Sequence, residues 1–273
     1  MKTLLLILFL MSPIIVHAYP TDENYDKYFK GTKGCFLLYN MKTGLVEKEI
    51  GGANCREQVV ACSTFKVPLS VMAFDAGILK DEEQVLKWDG KVDERPEVNA
   101  DQNAKNWMKN SVVWFSQRLT PELGEEKIKK YLSDFKYGNE DMAGGLTQSW
   151  LVDPSSDGPA LKISPYEQME FMKNLWSDKL PVSQRAMQIT RDLTYLETSG
   201  NGVKLNGKTG SNFYHGDRQR RLGWFIAHIE DGDQEYITVT NFSDIDPAQG
   251  ASYGGARAKE ITKEILVDEG LWQ

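Results

Sequence analysis

Apolar, strand-like runs stand at the two ends of this chain, with little of the kind between them. Near the start, "GCFLLYN" (34–40) is dense in apolar residues, and a turn at "MKTG" leads into a second strand near Leu45 to Ile50. From about residue 203 the pattern returns in "LNGKTGSNF", "LGWFIAHIE" and "EYITVTNFS", the last two joined around Asp231-Gly232, a hairpin signal. Between these, about 80–190, helix and loop dominate. Ile128, Leu132 and Phe135 recur at helical spacing, as do Met169, Met172 and Trp176, and both stripes read as core faces. A final amphipathic helix carries Ala258, Ile261 and Ile265 on one side. The expected architecture is therefore α/β of the α+β type. One sheet is built from the chain's two extremes (about 19–75 and 195–273), and a mainly helical lobe (about 76–194) faces it across a cleft.

The first eighteen residues, "MKTLLLILFLMSPIIVHA", read as a secretory leader. Lys2 supplies the positive start, Leu4 to Met11 the apolar core, and Val16-His17-Ala18 a small-residue cleavage site. A membrane-spanning helix needs about 20 apolar residues, and Ser12-Pro13 interrupts this run well before that. Residues 19–273 are then expected as one domain, periplasmic or secreted and without a membrane anchor. A hydrophobic content of 41%, without repeats or low-complexity blocks, suits a globular chain. The formal net charge of −7, more negative still once Lys2 is lost, disfavours a nucleic acid or anionic membrane as partner.

Cys35, Cys55 and Cys62 all follow the leader, and an exported protein can pair two of them. Cys62 directly precedes a serine of interest and would sit in a packed interior, which favours Cys35 with Cys55; three free thiols are the alternative. His215 and His228, which remain after the leader, show no ligand spacing with the cysteines, so neither metal nor cofactor is expected.

The chemistry centres on "ACSTFKVPLS" (61–70), where Lys66 stands between Phe65 and Val67, three residues after Ser63. A helix beginning just after Ser63 would put both side chains on one face. A serine hydroxyl needs a base to take its proton. Lysine serves as one only when desolvation favours its neutral amine, and the apolar neighbours of Lys66 offer that. The spacing alone is common: Ser133 and Lys136 repeat it at the end of a charged helix, where Lys136 should be solvated. Lys-Thr-Gly also occurs twice. Lys42-Thr43-Gly44 lies in a turn, whereas Lys208-Thr209-Gly210 heads into a strand whose edge could offer a cation, a hydroxyl and backbone amides to an acylating substrate. Ser111, two residues before Val113, could relay a proton.

Taken in order, Ser63-Thr64-Phe65-Lys66, Ser111-Val112-Val113, Tyr137-Gly138-Asn139 and Lys208-Thr209-Gly210 resemble the motif series of the class D serine β-lactamases. "GCFLLYN", "WFSQ", "LKIS" and "GWF" agree as well, so the likeness spans most of the chain. It implies a β-lactamase/transpeptidase-like fold and a small-molecule β-lactam substrate opened by Ser63. It also implies that Lys66, modified by CO2 to a carbamate, is the base, with Trp150 and Val113 supporting that group. Ser111 and Lys208 would then pass a proton, and Lys208, Thr209, Gly210, Ser211 and Arg257 would bind substrate, Arg257 through the substrate carboxylate. Class A enzymes instead use Ser-Asp-Asn as their middle motif, and that tripeptide is absent here. A penicillin-binding cell-wall peptidase or a β-lactam sensor acylated without turnover shares the motifs; both usually need an anchor. One departure from the family pattern is a longer connection, "VDPSSDGPA" (152–160), between Trp150-Leu151 and "LKIS".

Overall fold

The computed structural model describes residues 25–214, 217–247 and 252–273; the leader expected over 1–18 and His215 lie outside the described residues. A short helix α1 (Tyr25–Phe29) precedes β1 (Thr32–Asn40), β2 (Leu45–Ile50) and β3 (Val59–Val60). Next come α2 (Lys66–Asp75), α3 (Ala104–Lys109), α4 (Val113–Leu123) and α5 (Glu125–Phe135). They are followed by β4 (Lys162–Ile163), α6 (Pro165–Trp176), α7 (Gln184–Leu193), β5 (Tyr195–Thr198), β6 (Lys204–Tyr214), β7 (Asp217–Asp231), β8 (Gln234–Asp244) and α8 (Gly254–Asp268).

Six strands form one antiparallel sheet in the order β2-β1-β8-β7-β6-β5, so the first long strand lies beside the last. Strand side chains alternate between faces, and here both faces are dry. Cys35 and Leu37 on β1, Trp224 and Ile226 on β7, and Ile237 and Val239 on β8 join the core shared with the helices. Their neighbours Phe36, Leu38, Phe225, Ala227 and Phe242 pack on the other side against Phe29 and against Ala258, Ile261 and Ile265 of α8. Two-sided burial explains why "GCFLLYN" reads as a continuous apolar run instead of an alternating one. The β7–β8 hairpin turns through Gly232-Asp233, with Gly232 at φ 62, a left-handed conformation that glycine adopts without strain.

Helix α2 is buried along its length from Lys66 to Phe74, which makes it a core helix without a wet side. Although it falls in the segment that the sequence assigns to the sheet lobe, it packs among the helices: Ser70 on α2 meets Thr190 on α7 through their hydroxyls at 2.8 Å. "LKIS" supplies β4 and then the N-cap of α6, where Ser164 and Glu167 form a reciprocal capping box. Cys35 and Cys55 are joined in a disulfide, leaving Cys62 free and buried.

Candidate active site

Ser63 does not open an α-helix. It lies in a tight 3-10 turn, Cys62–Phe65, and α2 starts only at Lys66. In that geometry residues three apart eclipse, so the Lys66 amine nitrogen stands directly over the serine, Nζ to Oγ 3.1 Å. Cys62, just before Ser63, holds the left-handed φ of 53, a strained value for a residue with a Cβ. The turn is braced from beneath. The Thr64 hydroxyl donates to Ala61 O at 2.5 Å and accepts from Gln168 Nε2 at 2.7 Å, and the Tyr137 hydroxyl reaches Gln168 Oε1 at 3.5 Å.

Lys66 is 0% exposed. Burial holds its pKa well below the ordinary lysine value, with further lowering from the cations Lys208 and Arg95. Lys208 on β6 is buried too, and desolvation, helped by Arg95, brings it to about 7. Its Nζ donates to Ser111 Oγ and to Thr209 O, both at 2.9 Å. Ser111, between α3 and α4, has a left-handed φ of 54. Two Ser–Lys pairs, Ser63–Lys66 and Ser111–Lys208, thus belong to one site.

The site opens into a cleft of about 710 Å³. Its walls include Ser63, Ser111, Val113, Leu151, Thr209 and Ser211. β5 pairs with β6 only as far as Asn206, and Gly207 N donates to Thr194 O at 2.7 Å, so β6 is a free edge from Lys208 onward. Backbone N–H groups alternate along a strand. The Ser211 N–H, four residues beyond Gly207, therefore faces that same open edge. Gly210 lies close against the serine turn: a Cβ there would stand 3.1 Å from Cys62 Cβ and 3.2 Å from the Thr64 methyl. The Ser211 hydroxyl accepts from Gly255 N at 2.8 Å, tying the strand to the start of α8.

Trp150 packs on Phe65 with ring centroids 5.1 Å apart. Its indole Nε1 is buried and has no acceptor among the described residues, and a buried donor left unmatched is costly. An anionic carbamate on Lys66 would bring carboxylate-like acceptors into this core, and a donor waiting for one fits that group. Tyr137-Gly138-Asn139 has another task. A Cβ on Gly138 would meet Lys162 O at 2.0 Å, while Asn139 pairs with the backbone of Ala160 and Lys162 on the approach to and along β4. The longer loop after Trp150 is fastened to β6 by Asn212, whose amide donates to Leu151 O and Val152 O.

Arg257, which the resemblance makes a partner of the substrate carboxylate, pairs its guanidinium with Asp244 at 2.7 Å and lies over the Phe242 ring. Asp244, whose side chain is 1% exposed, needs that partner. The cleft wall also presents Arg95. Sequence reasoning missed it because "VDERPEVN" has only the look of a polar, solvated loop. The decoys sit elsewhere: Lys136 is exposed at the end of α5, and Lys42-Thr43-Gly44 forms the exposed β1–β2 turn.

Comparison with known proteins agrees with this geometry. The family described as penicillin binding protein transpeptidase domain matches residues 34–267. Beta-lactamase OXA-1 of Escherichia coli is 43% identical over 220 residues, covering 78% of this chain and 76% of its own. The solved structure of class D beta-lactamase BAT-2 superposes with a TM-score of 0.79 at 32% identity, over 92% of this chain and 97% of that one. The C-terminal domain of the Bacillus licheniformis BlaR penicillin-receptor reaches 0.81 at 28% identity, over 92% and 96%. The chain belongs to the penicillin-binding transpeptidase-domain family and, within it, to the class D serine β-lactamases. Hydrolysis of β-lactams is the activity that membership carries.

Proposed function

We propose that hydrolysis proceeds through an acyl-enzyme on Ser63, with Lys66, carried as its carbamate, serving as the general base in both half-reactions. The observation that supports this most is the contact of buried Lys66 Nζ with Ser63 Oγ at 3.1 Å. A neutral, desolvated amine adds CO2 at Nζ and releases one proton to solvent, leaving an anion able to accept a proton, which is the chemistry the modification would supply.

In acylation Lys66 takes the Ser63 proton, Ser63 Oγ bonds to the lactam carbonyl carbon, and the C–N bond breaks. The departing nitrogen receives a proton along the Lys208–Ser111 pair. Backbone N–H groups of Ser63 and Ser211 face the developing oxyanion; loss of one such donor costs about 3–4 kcal/mol in characterised hydrolases. Thr209, Lys208 and Arg257, the last oriented by its pair with Asp244, bind the substrate carboxylate. The proton taken by Lys66 then replaces the one given up along the Lys208–Ser111 pair. In deacylation Lys66 takes a proton from water, which attacks the ester carbonyl, and returns it to Ser63 Oγ as the C–O bond breaks. Trp150 donates to the modified lysine, with Val113 along the cleft wall beside it. We further propose export to the periplasm or beyond, with residues 1–18 removed.

An intact-mass time course of the mature protein with excess benzylpenicillin in bicarbonate tests the reaction scheme. Many equivalents of substrate gaining one water, with only a transient adduct on Ser63, is the expected result. One lasting equivalent of adduct would instead make this a penicillin receptor or cell-wall enzyme.

A further inference from the structure

Arg95 belongs to none of the motifs, yet from the loop before α3 it lines the same cleft as Ser63 and Ser111. Asp93 grips it from one side: Nε donates to Asp93 Oδ1 at 3.1 Å and Nη2 to Oδ2 at 3.4 Å. On the other side Nη1 donates to the carbonyl oxygen of Asn110 at 3.0 Å. Asn110 directly precedes Ser111, whose φ of 54 is a conformation that a serine holds only under constraint. A fork gripping Asp93 while capping the Asn110 carbonyl supplies such a constraint. Arginine suits the task because its planar guanidinium satisfies two partners at fixed angles, which lysine does not.

We propose that Arg95 is a positioning residue of the β-lactamase reaction: clamped by Asp93, it fixes the Asn110–Ser111 peptide so that Ser111 meets Lys208, and it stands as a permanent positive charge beside that pair. The charge matters because it lies close enough to lower the proton affinity of both Lys208 and Lys66. Among the described residues, Lys66 on α2 and, beside Lys66, the thiol of Cys62 also stand near Lys208, and Lys259 along the cleft pairs with Glu197. Asp93 is taken up by Arg95, and Glu94 across the cleft wall by the hydroxyl of Tyr253. Arg257 cannot substitute for Arg95, since Asp244 holds it.

The inference rests on the proposed role of Ser111 and Lys208 in proton delivery, and the experiment separates the two. kcat, KM and the pH profile of kcat/KM are measured for Arg95→Met, Arg95→Lys, Asp93→Asn and Ser111→Ala with benzylpenicillin at saturating bicarbonate. Arg95→Met should lower kcat by about tenfold or more, as small misplacements of reacting groups do. It should also move the limb set by Lys208 upward by roughly half a pH unit, because removing a neighbouring cation eases protonation. Arg95→Lys should keep the limb near its native place yet still lose kcat, and Asp93→Asn should lose kcat by a smaller factor. Added to Ser111→Ala, Arg95→Met should cost little more. A folded Arg95→Met enzyme with native kcat and limb, beside a crippled Ser111→Ala, overturns the role of Arg95 alone. A native rate in Ser111→Ala overturns the proton path beneath it. Should Arg95→Met fail to fold, Arg95→Lys and Asp93→Asn with native kcat give the same refutation.

Discussion

Ser63–Lys66 and Ser133–Lys136 share one spacing and end in opposite environments. The first pair bridges a 3-10 turn and the start of a helix buried on every side, where Lys66 touches Ser63 and its amine is buried. The second closes the amphipathic α5, where Lys136 takes a left-handed φ of 51 and points to solvent. Desolvation favours the neutral amine of Lys66. The two Lys-Thr-Gly triplets divide the same way: Lys42 lies in an exposed turn paired with Asp233, whereas Lys208 is 4% exposed against Ser111. Spacing sets which groups can meet, and burial decides whether they can react.

The sharpest way to break this contrast is to remove each lysine. Lys66→Ala should cost about a thousandfold or more in kcat/KM, in line with loss of a base and the group it activates. Lys136→Ala should leave the rate unchanged. Steady-state kinetics with a chromogenic cephalosporin decides it, and comparable losses in both variants would end the comparison.

The second test concerns the cost of a buried lysine. Lys208 titrates near 7 when folded, chiefly through desolvation, against an ordinary 10.5. Between these values the unfolded chain binds the extra proton. Stability should therefore be fullest above 10.5 and fall as pH drops toward 7, by at most about 1.4 kcal/mol per pH unit. Lys208→Met removes this dependence. Relative to the variant, the native enzyme should gain stability in urea melts between pH 7 and 9.5; parallel profiles would show that Lys208 is not desolvated.

A smaller effect is expected at Trp150. Trp150→Phe keeps the packing on Phe65 and deletes the unmatched indole donor. Turnover in bicarbonate-depleted buffer should fall about tenfold, the scale of one charge-assisted hydrogen bond, and excess bicarbonate should restore much of it. A loss that bicarbonate leaves untouched would assign Trp150 to packing alone.

Much of the fold was legible because its strands are unusual: runs such as "GCFLLYN" at both chain ends can only be covered on both faces, which demands one shared sheet. The two serines and two lysines of the site were legible from motif order. Three features were not. The 3-10 turn under Ser63 depends on the Thr64–Gln168–Tyr137 brace, contacts between residues about 30 and 100 positions apart in the chain. The commitment of Arg257 depends on Asp244, a carboxylate whose burial no local pattern announces. Arg95 acts through a backbone carbonyl beside a left-handed serine, and neither the carbonyl nor the φ is written in residue identity.

The most direct test of the central claim, that Lys66 is the burial-activated base carried as a carbamate, is a ¹³C NMR spectrum of the enzyme equilibrated with ¹³C-bicarbonate. One carbamate resonance is predicted, absent from Lys66→Ala, retained in Lys136→Ala and lost on removal of CO2 in step with activity. A fully active enzyme without that resonance, or one in which it survives Lys66→Ala, would contradict the account.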